Sequence, residues 1–157
     1  MDAVPEDLVG LLSSAGWAPG RRIDVLPVSE QLTAAGFEVS GAAAEFLSQY
    51  AFLSFRHEPS ILLDGQRSYC WTRFDPGAVA TTRDARIARR CAEIAGTSLC
   101  PVGTDGFHLT LYISPGAAFF AGKDASVFRY APSLTALLRA MRDGVRPELI
   151  GEWMIGA

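Results

Sequence analysis

The sequence predicts an α+β fold: an antiparallel β-sheet flanked by N-terminal helices, a middle helix and a C-terminal helix. Three observations carry this. The 157 residues are 49% hydrophobic and 20% charged, with a formal net charge of -3, so the chain can bury a sizeable core as one domain spanning 1–157. Apolar positions recur at helical spacing early in the chain and again in its middle and near its end, with period-two runs between them. The resulting order, helices, strands, a helix, a hairpin and a last helix, is that of an α+β fold and not of an alternating α/β one.

The elements follow in order. Leu8, Leu11, Leu12 and Ala15 stand on one helical face, Glu6 and Asp7 favour the helix dipole, and Gly16 stops the helix. A turn at Pro19-Gly20 leads to a second helix carrying Val28, Leu32 and Ala35, ended by Gly36. Ser40 is the expected N-cap of a third, whose Ala43, Phe46, Leu47 and Tyr50 repeat at i, i+3, i+4, i+7.

Strands are then expected at 51–55, 60–64 and 68–74, forming a meander. In the last of these Cys70, Thr72 and Phe74 share one face and Tyr69, Trp71 and Arg73 the other; either can be the core side. Asp75-Pro76-Gly77 breaks the sheet. A helix capped by Thr82 follows, burying Ile87, Cys91 and Ile94 and stopping at Gly96. The stretch 99–106 reads as turn. Residues 107–113 read as a strand with Phe107, Leu109, Leu111 and Ile113 alternating with His108, Thr110 and Tyr112. Ser114-Pro115-Gly116 closes a hairpin to 117–122, and Ser133 caps a helix with the stripe Leu134, Leu137, Leu138 and Met141, ended by Gly144.

Composition limits the function. Of 14 basic residues 13 are arginine and one, Lys123, is lysine. The acidic balance and the interrupted basic stretch from Arg83 to Arg90 argue against direct nucleic-acid binding, and Arg83, Arg86, Arg89 and Arg90 read as a solvated face or as a contact for an acidic partner. The apolar runs are too short for a membrane span, and the acidic start, MDAVPEDL, lacks the basic region of a signal peptide. A cytoplasmic location without membrane contact is therefore expected.

Three cysteines, Cys70, Cys91 and Cys100, form no paired spacing and read as reduced core residues. No metal-ligand spacing and no phosphate cradle occurs, so no cofactor, no metal and no catalytic residue is assigned. His57 reads as a solvated turn residue and His108 as a surface or binding-face histidine. Pairing Cys100 with His108 is the one nucleophile arrangement left open, and with it a small cysteine-dependent or hydrolytic enzyme.

Leu11-Leu12-Ser13-Ser14-Ala15-Gly16-Trp17-Ala18-Pro19-Gly20-Arg21 resembles the LLxxAGWxPGR opening of the third group of the SUKH superfamily of bacterial immunity proteins. AAAEFLSQYAFLSF is similar to that group's aaxxFLxxyGGL block. IAGTSLCPVG and LTLYISPGAAFF are similar to its iGxxLxPvG and lxidxxGxvy blocks, and SLTALLRAMRDG to its last helix. Two departures stand out: Ala51-Phe52 replaces a pair of glycines, and Thr104 stands where an acidic residue is common.

The resemblance implies a SUKH-like α+β domain acting without catalysis. It would be an antitoxin that binds and neutralises a cognate protein toxin, encoded by a neighbouring gene of a polymorphic or contact-dependent toxin system; such toxins are often nucleases or nucleic-acid deaminases. A general protein-interaction scaffold is the other non-enzymatic reading. No oligomeric state follows from the sequence. An inhibitor of this kind needs aromatic or Arg anchors within a polar rim. Trp71, Tyr69 and Arg73 are the first candidates for toxin binding and His108 and Tyr112 the next, with Asp64, Asp75 and Asp105, all beside turns, steering encounter. Trp17 is expected to pin the first helix to the body.

Overall fold

The computed structural model describes residues 3–57 and 70–156. Five helices form where the apolar spacing places them. Helix α1 (Glu6–Ser13) buries Leu8 and Leu12, and the Trp17 N–H donates to the Leu12 carbonyl at 3.1 Å. Helix α2 (Leu26–Ala35) ends at Gly36, whose φ of 102° is open to glycine without a Cβ penalty. Helix α3 (Gly41–Tyr50) is capped as expected: the Ser40 hydroxyl oxygen accepts the Ala43 N–H at 3.1 Å.

Helix α4 (Thr82–Ala95) starts at the expected cap itself, so its cap falls one residue earlier. Thr81 takes that role because its hydroxyl accepts from the Asp84 N–H while the Asp84 carboxylate accepts from the Thr81 N–H, a closed capping box. Helix α5 (Leu134–Asp143) is capped by Ser133 and buries the full stripe Leu134, Leu137, Leu138 and Met141.

Among the described residues the strands are β1 (Ser54–His57), β2 (Cys70–Arg73), β3 (Cys100–Asp105), β4 (Thr110–Ile113), β5 (Phe119–Lys123), β6 (Ser126–Ala131) and β7 (Glu148–Glu152). They lie side by side in chain order, every neighbouring pair antiparallel. The run expected at 60–64 and the first two residues of 68–74 lie outside the described residues.

Three strands escape the periodicity. Strand β3 has the turn-forming residues Pro101, Gly103 and Asp105. It tolerates the proline because β2 pairs with it only at Thr104 and Asp105, so the missing N–H breaks no bond on that side, and a bulge between Pro101 and Gly103 takes up Val102 as the extra residue. Strands β6 and β7 are half exposed and lack clean alternation. Conversely, Phe107 and His108 lie in a turn before β4 and not in the expected strand, with His108 at φ 64°.

Antiparallel partners point to the same side, so the register sorts the sheet into two faces. One face carries Phe55, His57, Cys70, Thr72, Phe74, Asp105, Leu111 and Ile113, all buried. Phe46 of α3 is its hub, with ring centroids 5.2 Å from Tyr50, 5.0 Å from Phe74 and 5.4 Å from Phe119. Edge contacts of this kind favour a fixed packing over a merely apolar one. Trp17 stacks on Tyr50 at 6.3 Å with planes 12° apart, which ties the α1 turn to α3.

The other face carries Ser54, Arg56, Trp71, Arg73, Thr104, Thr110, Tyr112, Gly122 and Gly151. Helix α4 covers the part from Tyr112 of β4 across β5 and β6 to β7. Its buried residues are the small ones, Ala85, Ala88 and Cys91, while Ile87 and Ile94 are half-buried, so it can approach the sheet closely. The sheet matches with glycines: a Cβ at Gly122 would lie 3.2 Å from the Cys91 sulfur, and one at Gly151 would lie 2.7 Å from the Ile94 Cγ2.

Candidate partner-binding face

Among the described residues, the uncovered part of that second face lies over β1 and β2. Their patterns interlock: Phe55 and His57 go inward opposite Thr72 and Cys70, leaving Ser54 and Arg56 outward beside Arg73 and Trp71. Trp71 is 44% exposed. The Arg73 guanidinium carbon sits 5.6 Å from the Trp71 ring centroid, a cation–π contact that holds both side chains in a fixed relation. Trp71 also packs over Gly106, where a Cβ would come within 3.1 Å of the indole nitrogen, and its carbonyl accepts the Gly106 N–H at 2.9 Å. A rigid, amphipathic aromatic beside an arginine has the composition of an interface anchor.

The remaining sequence candidates fall in different environments. Tyr69 and Asp64 lie outside the described residues. Asp75 stays at the surface, half-buried, but its carboxylate is engaged as the cap of the 3-10 turn Pro76–Val79, accepting the Gly77 N–H at 3.0 Å.

Asp105, expected to be a steering charge, is only 4% exposed. Its Oδ1 accepts from the N–H groups of Phe107 at 2.9 Å and Leu109 at 3.0 Å, and burial pushes its carboxyl above the ordinary range against the pull of those bonds. It shapes the turn that presents His108 and is not a rim charge. Tyr112, expected on the polar face, is buried at 2% beneath α4, and burial raises its phenol. The alternation at 107–113 fails here because both faces of β4 are covered, so a tyrosine can be core on either side. His108 is exposed in the turn that precedes β4, two residues before Thr110, which cross-strand pairing joins to Thr104 and Arg73 on this face.

His57 is a correction too. It closes β1 with 8% exposure, and its Nε2 lies 2.8 Å from the Thr72 hydroxyl. Cys100 and His108 do not meet: Cys100 begins β3 opposite Ile113, whereas His108 follows the other end of that strand. Burial raises all three thiols, Cys91 to about 11 and Cys100 to about 12, the reverse of what a thiolate nucleophile requires. Among the described residues no group of three or more His, Cys, Asp or Glu could hold a metal ion, and no helix is long and apolar enough to cross a membrane.

Sequence reasoning missed Arg56, whose outward position follows only from β1 pairing, and the apolar tail after β7, in which Trp153 is half-buried and Met154 and Ile155 are exposed. The one available signal for the tail was an apolar run outside any periodic segment. Phe52, where two glycines were expected, adopts φ 67° and is 56% exposed. Position 52 thus requires the left-handed backbone that glycine adopts freely.

These features define an α+β domain with a helix-clad sheet and an open, aromatic- and arginine-bearing patch on its second face. The family model described as SUKH-3 immunity protein matches residues 4–144, so the chain belongs to the SUKH-3 immunity protein family. Membership carries a role in toxin immunity exerted by binding a toxin. Searches among curated proteins and among solved structures give no match.

Proposed function

We propose that this protein neutralises, in the cytoplasm and without catalysis, a cognate toxin of the nuclease or nucleic-acid deaminase kind encoded by a neighbouring gene. We place Trp71 and Arg73 at the centre of the contact and His108 at its edge. The observation that carries this reading is the exposed Trp71–Arg73 pair on the part of the sheet that no helix among the described residues covers. An antidote acts by occupancy, since even a small free fraction of an enzyme toxin is harmful, so nanomolar or tighter affinity is expected.

Surface-plasmon kinetics against the toxin domain of the neighbouring gene test it. Trp71→Ala should speed dissociation by about tenfold, about 1.4 kcal/mol, with a folded variant. Asp75→Asn should slow association and flatten its salt dependence while changing dissociation little. An unchanged dissociation rate removes Trp71 from the interface, and absence of wild-type binding at micromolar concentration removes the toxin assignment.

A further inference from the structure

Beyond the Trp71 patch, the same sheet face continues into a cleft of about 380 Å³ between α4, the ends of β4 and β5, and the tail after β7. Arg83 and Ile87 line it from α4, and Lys123 and His108 from the opposite side. Trp153 and Ile155 close one end, and both also line an adjoining hollow of about 230 Å³ with Arg90. Arg83, Ile87 and Arg90 stand at i, i+4 and i+7, one stripe of the helix. The two hollows therefore form one groove along about 10 Å of α4, at 1.5 Å per residue.

The floor is available because position 122 has no side chain: a Cβ there would press on the Tyr112 ring at 3.2 Å. Ile155 is 79% exposed, an apolar surface with nothing from the described residues over it. Among the described residues neither Arg83 nor Lys123 closes an ion pair, and Arg90 has only the exposed contact to Glu93 at 3.5 Å. Of the two carboxylates in the lining, Asp84 is committed to the capping box and Asp124 sits in the β5–β6 turn.

We propose that this groove binds an extended acidic segment of a partner protein, with apolar side chains on Ile87, Trp153 and Ile155 and carboxylates on Arg83, Arg90 and Lys123. An extended chain at about 3.3 Å per residue places about three residues along it. Charge complementarity selects this occupant: a chain of net charge -3 concentrates cations here around an apolar floor. A nucleic-acid backbone has no apolar side chains to set against Ile87, Trp153 and Ile155. The proposal rests on the toxin reading only for the owner of the segment, and its test does not require the toxin.

The test is a titration of the ¹⁵N-labelled protein with a short unlabelled peptide in which glutamates alternate with leucine and phenylalanine. The expected result is a saturable shift of the Trp153 indole N–H, with the Trp17 resonance unmoved. Arg83→Glu with Arg90→Glu, and independently Lys123→Glu, all at the surface, should each weaken binding at least tenfold while preserving the rest of the spectrum.

The proposal is overturned by no Trp153 shift up to about 1 mM peptide, or by equal binding of the same peptide with lysine for glutamate. Tighter binding of a single-stranded oligonucleotide, or a Trp153 shift driven by protein concentration alone, which would mean a second copy of the chain in the groove, overturns it as well.

Discussion

Gly103→Ala is the sharpest test of how β3 is fitted between its neighbours. A Cβ at position 103 would overlap the Arg73 carbonyl oxygen and lie 2.9 Å from the Phe74 Cα. Both obstacles are backbone, and neither can rotate away. Relief requires β2 and β3 to separate, which would break the Thr72–Asp105 and Arg73–Thr104 pairing. Overpacking against side chains costs about 1–3 kcal/mol; against backbone it should reach about 3 kcal/mol or more. At about 2–4 °C per kcal/mol for a chain of this size, the midpoint should fall by roughly 6–12 °C.

Urea unfolding with scanning calorimetry measures this. Gly10→Ala is the control, since a Cβ there meets nothing within 4 Å, and alanine in a helix should gain about 0.5–1 kcal/mol. A Gly103→Ala protein within about 0.5 kcal/mol of the parent would refute the packing argument. Because β2 carries Trp71 and Arg73, the same variant should also weaken partner binding if these residues anchor it.

Two further outcomes follow from burial. Trp17→Ala should cost about 3 kcal/mol or more in urea unfolding by leaving a cavity against Tyr50 and Leu12, while binding by the folded fraction stays unchanged; loss of binding without loss of stability would reverse that assignment. Asp105 has a folded pKa above its ordinary 3.8. Its protonation therefore favours the native state below 3.8, and this contribution is lost as pH rises through the raised folded value. Asp105→Asn keeps an acceptor for the Phe107 and Leu109 N–H groups and removes the charge. It should flatten the pH dependence of stability above 3.8 without changing association rates; a slowed association would return Asp105 to the rim.

The sequence by itself determined the parts governed by local physics. Helix stops at Gly36, Gly96 and Gly144 are set by a backbone conformation glycine adopts freely. The caps at Ser40 and Ser133 are set by one hydroxyl within reach of a free N–H. The split of β2 into buried Cys70 and Thr72 and exposed Trp71 and Arg73 is set by strand alternation, although alternation alone did not say which side was core.

What only the tertiary structure decided involves partners distant in the chain. Strand β3 has turn-forming residues and is a strand because β4 pairs along it and β2 spares its proline. Tyr112 is core because α4 lies over it, and Asp105 is buried because its own turn folds its N–H groups back onto the carboxylate. Among the described residues Trp71 is exposed because α4, seated over the glycines of β5 and β7, covers that end of the sheet and does not reach β1 and β2. No local pattern contains that information, since coverage depends on where a helix lands across the sheet and not on the period of the strand beneath it.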